Sequence, residues 1–339
     1  MVYGLTRLLR TEDDWSDLLC FLAELDPEPL RSALRLTPGT ITIRRESRVK
    51  AHRAAPAGRL DFVILLDDTE RAVMEVKLGA SAHGEQFAAY DAWADVIGIP
   101  MAERYVVGLN HDPIPGVPST WSHSLTIASL LGGWHTSGDD LARLLSDRAL
   151  QQLEKLEAEV TGPANQASTV LSDALRLRRL VAQTQAAAPP GTVFEKQQRS
   201  RSGAANVCAW RQTHDGYVLV EIQRLVPKRG TDTPFEIRIM VQTPEATAAA
   251  NGALADRHRA WLARHSFVRH AGPAVRRLVV APDADGFKSG GPRRGHPTYY
   301  GYKDGGHGSS VVLDSAADLN DMVTAYSAAL SYLTTYKAQ

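Results

Sequence analysis

The chain has 339 residues, of which 44% are apolar and 22% charged, and its 38 acidic and 38 basic side chains give a formal net charge of zero. That length suits one large domain or two ordinary ones with ample core, and the composition is that of a soluble globular protein. Zero net charge excludes a histone-like or tail-type nucleic-acid binder, but not an enzyme that holds a few phosphates through a local patch and a metal.

In chain order, Thr11 followed by Glu12, Asp13 and Asp14 opens a segment with Trp15, Leu18, Leu19, Leu22 and Leu25 at helical spacing, an N-capped amphipathic helix that ends before Pro27. Pro38-Gly39 breaks the chain, and residues 40–44 alternate as a first strand. Asp61 to Leu66 and Ala72 to Leu78 read as the second and third, joined by a polar turn from Asp67 to Arg71. Ser81 to Ile97 carries Phe87, Tyr90, Trp93, Ala94 and Ile97 at helical intervals, stopped by Gly98 and Pro100, and Arg104 to Leu109 is a fourth strand. The order is helix, three strands, helix, strand.

Beyond it come a Pro-rich loop from Pro113 to Pro118, a short stretch around Leu125 to Leu131, and a helical region from Asp139 to about Ala187 broken near Gly162-Pro163. Strands are expected at 206–211, 217–225, 234–243 and 276–281, with a helix at about 245–265 and a closing helix from Ser315. Three strands, a helix and a strand thus recur in the second half, an order that either a degenerate duplication or chance produces. The middle strand of that second set carries Glu221-Ile222-Gln223.

The hairpin carries the chemistry. Glu75 and Lys77 share a strand face, because side chains alternate. If the turn is centred on Asp68, Asp61 lies opposite Glu75, with Cβ atoms roughly 4.5–5.5 Å apart. Two carboxylates and one ammonium then share one end of a sheet. Carboxylate oxygens suit a hard divalent cation such as Mg²⁺ or Mn²⁺, and a lysine beside them can position a water and offset negative charge on a phosphate. A surface salt bridge is the plainer account of the same residues.

An acid on one strand and Glu-x-Lys on the next, here Asp61 and Glu75-Val76-Lys77, within helix, three strands, helix, strand, resembles the PD-(D/E)XK nuclease superfamily. Leu60 stands where the name of that family has Pro. Gln86 and Tyr90, four apart on one helix face, look like the Gln-xxx-Tyr element of its RecB-like and exonuclease-like branches. The resemblance covers about residues 1–112. It implies an α/β fold, a mixed-sheet sandwich with a restriction-endonuclease-like αβββαβ core. It also implies Asp61, Glu75 and the Val76 carbonyl as ligands of Mg²⁺ or Mn²⁺, with Lys77 catalytic. An acid from the first helix often joins the set, with Glu12 first and Asp13 second, and Gln86 and Tyr90 contact the substrate or orient the site.

The resulting division is a nuclease core at 1–112, a loop and helical connector at 113–190, and a C-terminal α/β domain at 191–339 for substrate or partner recognition. The expected activity is metal-dependent hydrolysis of nucleic acid, DNA in preference to RNA, in a setting of prokaryotic defence or restriction. The alternative is a nuclease-fold binding or scaffolding subunit, and a homodimer or protein partner stays open. Cys20 and Cys208 are far apart with no CxxC or Cys/His neighbour, which argues against a disulfide framework and a structural zinc site. With no signal-peptide pattern and no apolar run of membrane length, a cytoplasmic protein is expected. No P-loop and no Gly-x-Ser-x-Gly elbow is present. Residues 195–201 and 227–229, with Trp210 and Arg211, form a locally basic region that reads as a solvated face or a phosphate track. The loop from Lys288 to Tyr302 has the flexibility and stacking groups of a substrate-contacting loop, or is an ordinary long loop.

Overall fold

The computed structural model describes residues 9–51, 57–78, 85–109, 114, 116–164, 169–197, 206–213, 216–224, 235–242, 257, 260–261, 264, 267–279, 288–289, 298–301 and 307–336. The fold is α/β, in two compact units, Met1–Glu157 and Ala158–Gln339. The division falls inside the helical stretch expected between 113 and 190. No helix among the described residues is long and apolar enough to cross a membrane.

The first unit begins with α1 (Glu12–Leu25), whose cap Thr11 forms a reciprocal box with Asp14, and a short α2 (Glu28–Ala33) that the sequence pattern does not announce. A five-stranded mixed sheet follows in the order β1-β2-β3-β4-β5. Its strands are β1 (Ile41–Val49), β2 (Gly58–Leu66), β3 (Thr69–Val76), β4 (Arg104–Gly108) and β5 (Ser122–Thr126). The first three are antiparallel neighbours, and β4 and β5 run parallel to β3. The crossover helix α3 (Gln86–Ile97) ends at Gly98, which takes φ +80°, the left-handed cap that costs glycine nothing. Residues 79–84, the expected start of that helix, lie outside the described residues. The stretch around Leu125 to Leu131 resolves into the end of β5 and most of α4 (Ile127–Trp134), capped by Thr126. Then comes α5 (Asp140–Thr161).

Helices cover both faces of this sheet. Phe87, Tyr90 and Ala94 of α3 form a core with Val63, Leu65, Val73 and Val106. On the opposite face the Arg45 guanidinium lies 5.1 Å over the ring of Phe62 and bonds Asp17 of α1. Strand β1 is longer than the expected 40–44, and β2 starts at Gly58 rather than Asp61.

The hairpin departs from expectation in an instructive way. Asp67 and Asp68 have φ of +49° and +61°, so the turn is a two-residue one of the type I′ kind and β3 begins at Thr69, not after Arg71. Aspartate tolerates the left-handed region better than most residues. Leu65 pairs with Glu70, but Ile64 pairs with Ala72, which leaves Arg71 as a one-residue bulge. Beyond the bulge Val63 faces Val73 and Phe62 faces Met74. The same register carried one step further sets Asp61 against Glu75.

The second unit holds α6 (Val170–Thr184) and an antiparallel sheet of β6 (Val193–Gln197), β7 (Asn206–Thr213), β8 (Gly216–Arg224), β9 (Phe235–Gln242) and β12 (His307–Val312). Two short strands, β11 (Thr298–Gly301) and β10 (Lys288–Ser289), extend it beyond β12. Val218, Val220, Ile222, Ile237 and Ile239 pack with Met322, Tyr326 and Leu330 of α8 (Leu319–Leu330), and α9 (Tyr332–Thr335) follows. Asp318 caps α8, so the closing helix begins later than Ser315. Of the strand expected at 276–281, Arg276 belongs instead to a helix, α7 (Phe267–Arg276), Val279 makes a bridge to Leu313, and residues 280 and 281 lie outside the described residues. Residues 257, 260, 261 and 264 are helical, within the helix expected at 245–265; the rest of that helix, most of the basic stretches 195–201 and 227–229, and most of the loop 288–302 lie outside the described residues. The strand expected at 276–281 as counterpart of β4 is not seen beside β9 among the described residues: β9 is joined there by β12, antiparallel, where β3 is joined by β4 in parallel.

Candidate active site

The open end of the β2-β3 hairpin gathers the charged residues. Here the backbone ladder stops at Phe62–Met74, and side chains take over its hydrogen bonds. The Val76 N–H donates to Asp61 Oδ2 at 2.8 Å, and the Asp61 N–H donates to Glu75 Oε2 at 3.1 Å. Each carboxylate is thereby fixed by the other strand's backbone. Lys77 Nζ donates to Glu75 Oε1 at 2.7 Å and stands 3.9 Å from Glu12 Oε2.

From α3, Gln86 Nε2 donates to Glu75 Oε1 at 3.0 Å and to the Tyr90 hydroxyl at 2.6 Å, while the Tyr90 O–H donates to the Arg59 carbonyl. The Oε1 atom of Gln86 is buried and accepts no hydrogen bond among the described residues. Tyr90 comes this close because residue 58 is glycine. A Cβ there would lie 2.4 Å from a ring carbon of Tyr90. Together these residues line a pocket of about 450 Å³, with Asp13, Asp61, Glu75, Lys77, Gln86 and Tyr90 on its wall.

All six expected site residues, Glu12, Asp61, Glu75, Lys77, Gln86 and Tyr90, thus approach one another, with Val76 contributing its backbone. The two helix acids divide the work: Glu12 reaches Lys77, and Asp13 lines the pocket. Asp14 is committed to the cap of α1.

Burial dominates the electrostatics. Glu75 is 1% exposed, and burial, reinforced by the Asp61 charge, pushes its carboxyl up to about 7. Asp61 is also raised, chiefly by burial, against the hydrogen bond from Val76 and the cations Lys77 and Arg45. Burial alone would lower the Lys77 ammonium, but Glu75, Glu12 and Asp61 outweigh it and hold the group above its ordinary value. Burial and the neighbouring Glu75 raise the Tyr90 phenol.

The donor set suits a hard divalent cation. Two carboxylates are concentrated in a low-dielectric pocket, and Asp61 keeps more accepting capacity than Glu75, whose oxygens already meet Lys77, Gln86 and the Asp61 N–H. Among the described residues no group of three or more His, Cys, Asp or Glu side chains is arranged to hold a metal. Two carboxylates are nonetheless a common protein contribution for Mg²⁺, which keeps several waters and takes substrate phosphate oxygens as further ligands.

Sequence reasoning missed Arg45. Its guanidinium bonds Asp17 Oδ1 at 2.7 Å and the Asp61 carbonyl at 3.0 Å, and lies 3.6 Å from Asp61 Oδ1. It braces the start of β2 against α1. The available signal was alternation: Ile41, Ile43 and Arg45 share one strand face, and a cation in line with two isoleucines points inward.

No protein-family model matches the sequence, and neither a characterised protein nor a solved structure matches it.

Proposed function

We propose that the chain is a metal-dependent nuclease of the PD-(D/E)XK kind, with a restriction-endonuclease-like core in its first unit and DNA preferred over RNA as substrate. One observation carries the reading: at the opened end of β2-β3, Asp61 and Glu75 are each held by a backbone N–H of the facing strand, with Lys77 on Glu75. An ordinary surface salt bridge has no need of a buried glutamate whose carboxyl is raised to about 7.

Asp61, Glu75 and the Val76 carbonyl would hold Mg²⁺ or Mn²⁺, which supplies polarisation of the scissile phosphodiester and of the attacking water. The chain's own residues do the rest. Lys77 places an ammonium beside the carboxylates, where it orients the water and balances charge that builds on the phosphate oxygens. Glu12 holds the far side of that ammonium and limits its swing. Gln86 fixes Glu75, and Tyr90 ties α3 to β2 through the Arg59 carbonyl. Gln86 Oε1, which meets no donor among the described residues, is an acceptor for a donor brought by water or substrate.

The test is a panel of labelled single- and double-stranded DNA and RNA, with mononucleotides alongside, incubated with and without Mg²⁺. Cleavage of oligonucleotides by the wild type only with metal is expected, and Glu75→Ala and Lys77→Ala abolish it while leaving the folded spectrum unchanged. Full activity in either variant sinks the mechanism, and activity on mononucleotides alone moves the enzyme to another substrate class. A second reading, a binding or scaffolding subunit on the same fold, draws on the enclosure of Glu75 by three donors. Oligonucleotide binding without Mn²⁺ binding in calorimetry would select it.

A further inference from the structure

Strand β1 is an edge of the first sheet, and its outer face has a charge pattern that folding does not require. Its burial alternates residue by residue, with Arg44, Glu46 and Arg48 exposed, and exposed Lys50 follows directly after the strand. Glu46 interrupts the alternation of faces, because Arg45 lies over Phe62 and bonds Asp17 of α1 whereas Val49 packs with Tyr90 of α3, so Arg48 and Lys50 lie beyond the break from Arg44.

Arg48 pairs directly with Arg59 of β2, and Arg59 also lines the pocket that holds Asp61, Glu75 and Lys77. Like charges placed opposite each other destabilise a sheet. The pair persists where Val49 against Gly58 is the only further step of the β1-β2 ladder.

Glu46 is a second anomaly. It has φ +49° inside the strand, a conformation that a non-glycine residue adopts at a cost of roughly 1–2 kcal/mol. Its carboxylate stands 3.4 Å from Arg59, which is otherwise well exposed. Two local costs therefore meet at one place, around Arg59 at the wall of the pocket. Arg44 is answered by Glu70.

We infer that Arg48, Lys50 and Arg59 form a track for the sugar–phosphate backbone of a nucleic acid. Glu46 acts as an internal anion that occupies Arg59 until a phosphate replaces it. The inference rests on the nuclease reading and adds to it the path by which a strand reaches the pocket. The chemistry favours a polyanion: Arg48 and Arg59 lie side by side across two strands with Lys50 just beyond, and the chain as a whole has no net charge to attract one non-specifically. Arg59 is the joint between track and site, since its side chain pairs with Glu46 while its carbonyl receives the Tyr90 hydroxyl.

The experiment measures binding of fluorescein-labelled oligonucleotides in chelator, where no cleavage intervenes, over a series of salt concentrations. Arg48→Ala with Lys50→Ala is expected to weaken binding by about ten-fold and to reduce the salt slope by about 0.7 for each phosphate of a single strand that is no longer neutralised. Glu46→Gln, which leaves the backbone alone and frees Arg59, is expected to tighten binding several-fold. Lys155→Ala, which removes an exposed cation of α5, is the charge control and should bind as the wild type does. Unchanged affinity and slope in the double variant overturn the track, whether or not the protein cleaves. Equal weakening by Lys155→Ala, or binding of phosphatidylserine vesicles in place of oligonucleotides, also overturns it. Mg²⁺-dependent cleavage by the wild type is scored separately, so a track that binds in a protein that never cleaves would defeat the nuclease reading alone.

Discussion

Two pairs of neighbouring strands in this chain carry almost the same residues and use them differently. In the first unit β2 and β3 bring Asp61, Glu75 and Lys77 together. In the second, β8 and β9 bring Glu221, Glu236 and Arg238 together, with Arg238 bonded to Glu236 at 2.9 Å and standing 3.5 Å from Glu221. Both sets are largely buried, and burial raises the carboxyls of both Glu75 and Glu221. The ladder is what differs. The pairing of β8 with β9 runs unbroken from Tyr217–Gln242 to Arg224–Phe235, so the charges close on one another across a continuous sheet. The pairing of β2 with β3 stops at Phe62–Met74, and the carboxylates turn to backbone N–H groups. Two acids and a base are a structural network where the strands stay paired, and a candidate site where they part.

The largest effects should separate these roles. Asp61→Asn keeps an acceptor for the Val76 N–H but removes a charge, so Mg²⁺-dependent cleavage should fall on the order of a thousand-fold. The melting temperature should hold or rise, because Glu75 loses a like-charged neighbour. Glu221→Ala should do the opposite. Removing a partner of a buried ion network costs about 3 kcal/mol, so unfolding by urea should shift strongly while cleavage per folded molecule stays the same. A loss of activity from Glu221→Ala at unchanged stability would erase the distinction between the two sets.

The next variant addresses how Asp61 comes to face Glu75. If Arg71 paired with Ile64 instead of bulging, the two-residue turn would set Asp61 against Met74, and a one-residue slip carries a whole strand's side chains to the other face. Deletion of Arg71 alone removes the bulged residue and leaves Ile64 against Ala72, so cleavage should persist. Deletion of Arg71 together with Ala72 slips the register and should abolish cleavage nearly as fully as Asp61→Asn, with circular dichroism still reporting a folded protein. Persistent activity in the two-residue deletion would mean that the turn re-forms to restore the pairing, and loss of activity from deletion of Arg71 alone would mean that the site needs the twist the bulge gives the hairpin.

This bulge also marks how far the sequence could be read. A turn centred on Asp68 puts Asp61 opposite Glu75. The observed turn is half a residue earlier, and the bulge makes up the difference, so the right register follows from a different local structure. Helix caps, strand alternation and the Gln86/Tyr90 spacing were legible because each depends on near neighbours. The brace of Arg45 on Asp61 joins residues 16 apart, and the strained φ of Glu46 belongs to the fold rather than to glutamate's preferences. The short β5 and α2 were missed for a similar reason. Ser122-His123-Ser124 has no strand pattern of its own and is paired only because β4 lies beside it.

A pH titration tests the site without substrate. In the metal-free protein the folded Glu75 keeps its proton up to about pH 7, whereas the unfolded chain releases it near 4.5. Between those values the folded state binds more protons, so stability is greatest below about 4.5 and falls as pH rises through 7, by about 3 kcal/mol in all. Urea midpoints measured from pH 5 to pH 8 should decline for the wild type and much less for Glu75→Gln. Added Mg²⁺ favours the ionised carboxylates, so it should raise the midpoint more at pH 8 than at pH 5. A flat profile would place Glu75 in wetter surroundings than its 1% exposure indicates.

The smallest expected effect concerns the wall that keeps the parted strands in place. Tyr90 bonds the Arg59 carbonyl, and its ring packs against Phe87 and Trp121 at centroid distances of 5.6 and 5.9 Å. With those rings on one side and Gly58 on the other, the tyrosine has nowhere to retreat, and a Cβ at residue 58 would lie 2.4 and 2.7 Å from two of its carbons. Gly58→Ala should therefore cost about 1–3 kcal/mol through overpacking, against the gain of a few tenths to 1 kcal/mol that removing a glycine ordinarily gives. Tyr90→Ala destabilises on its own by emptying a buried site. In the double variant the methyl group enters the vacated space, so the two costs should fall well short of adding. Additive costs would show that Gly58 is required for the backbone of β2 itself, and that Tyr90 neither needs the close approach nor holds the end of the strand open through it.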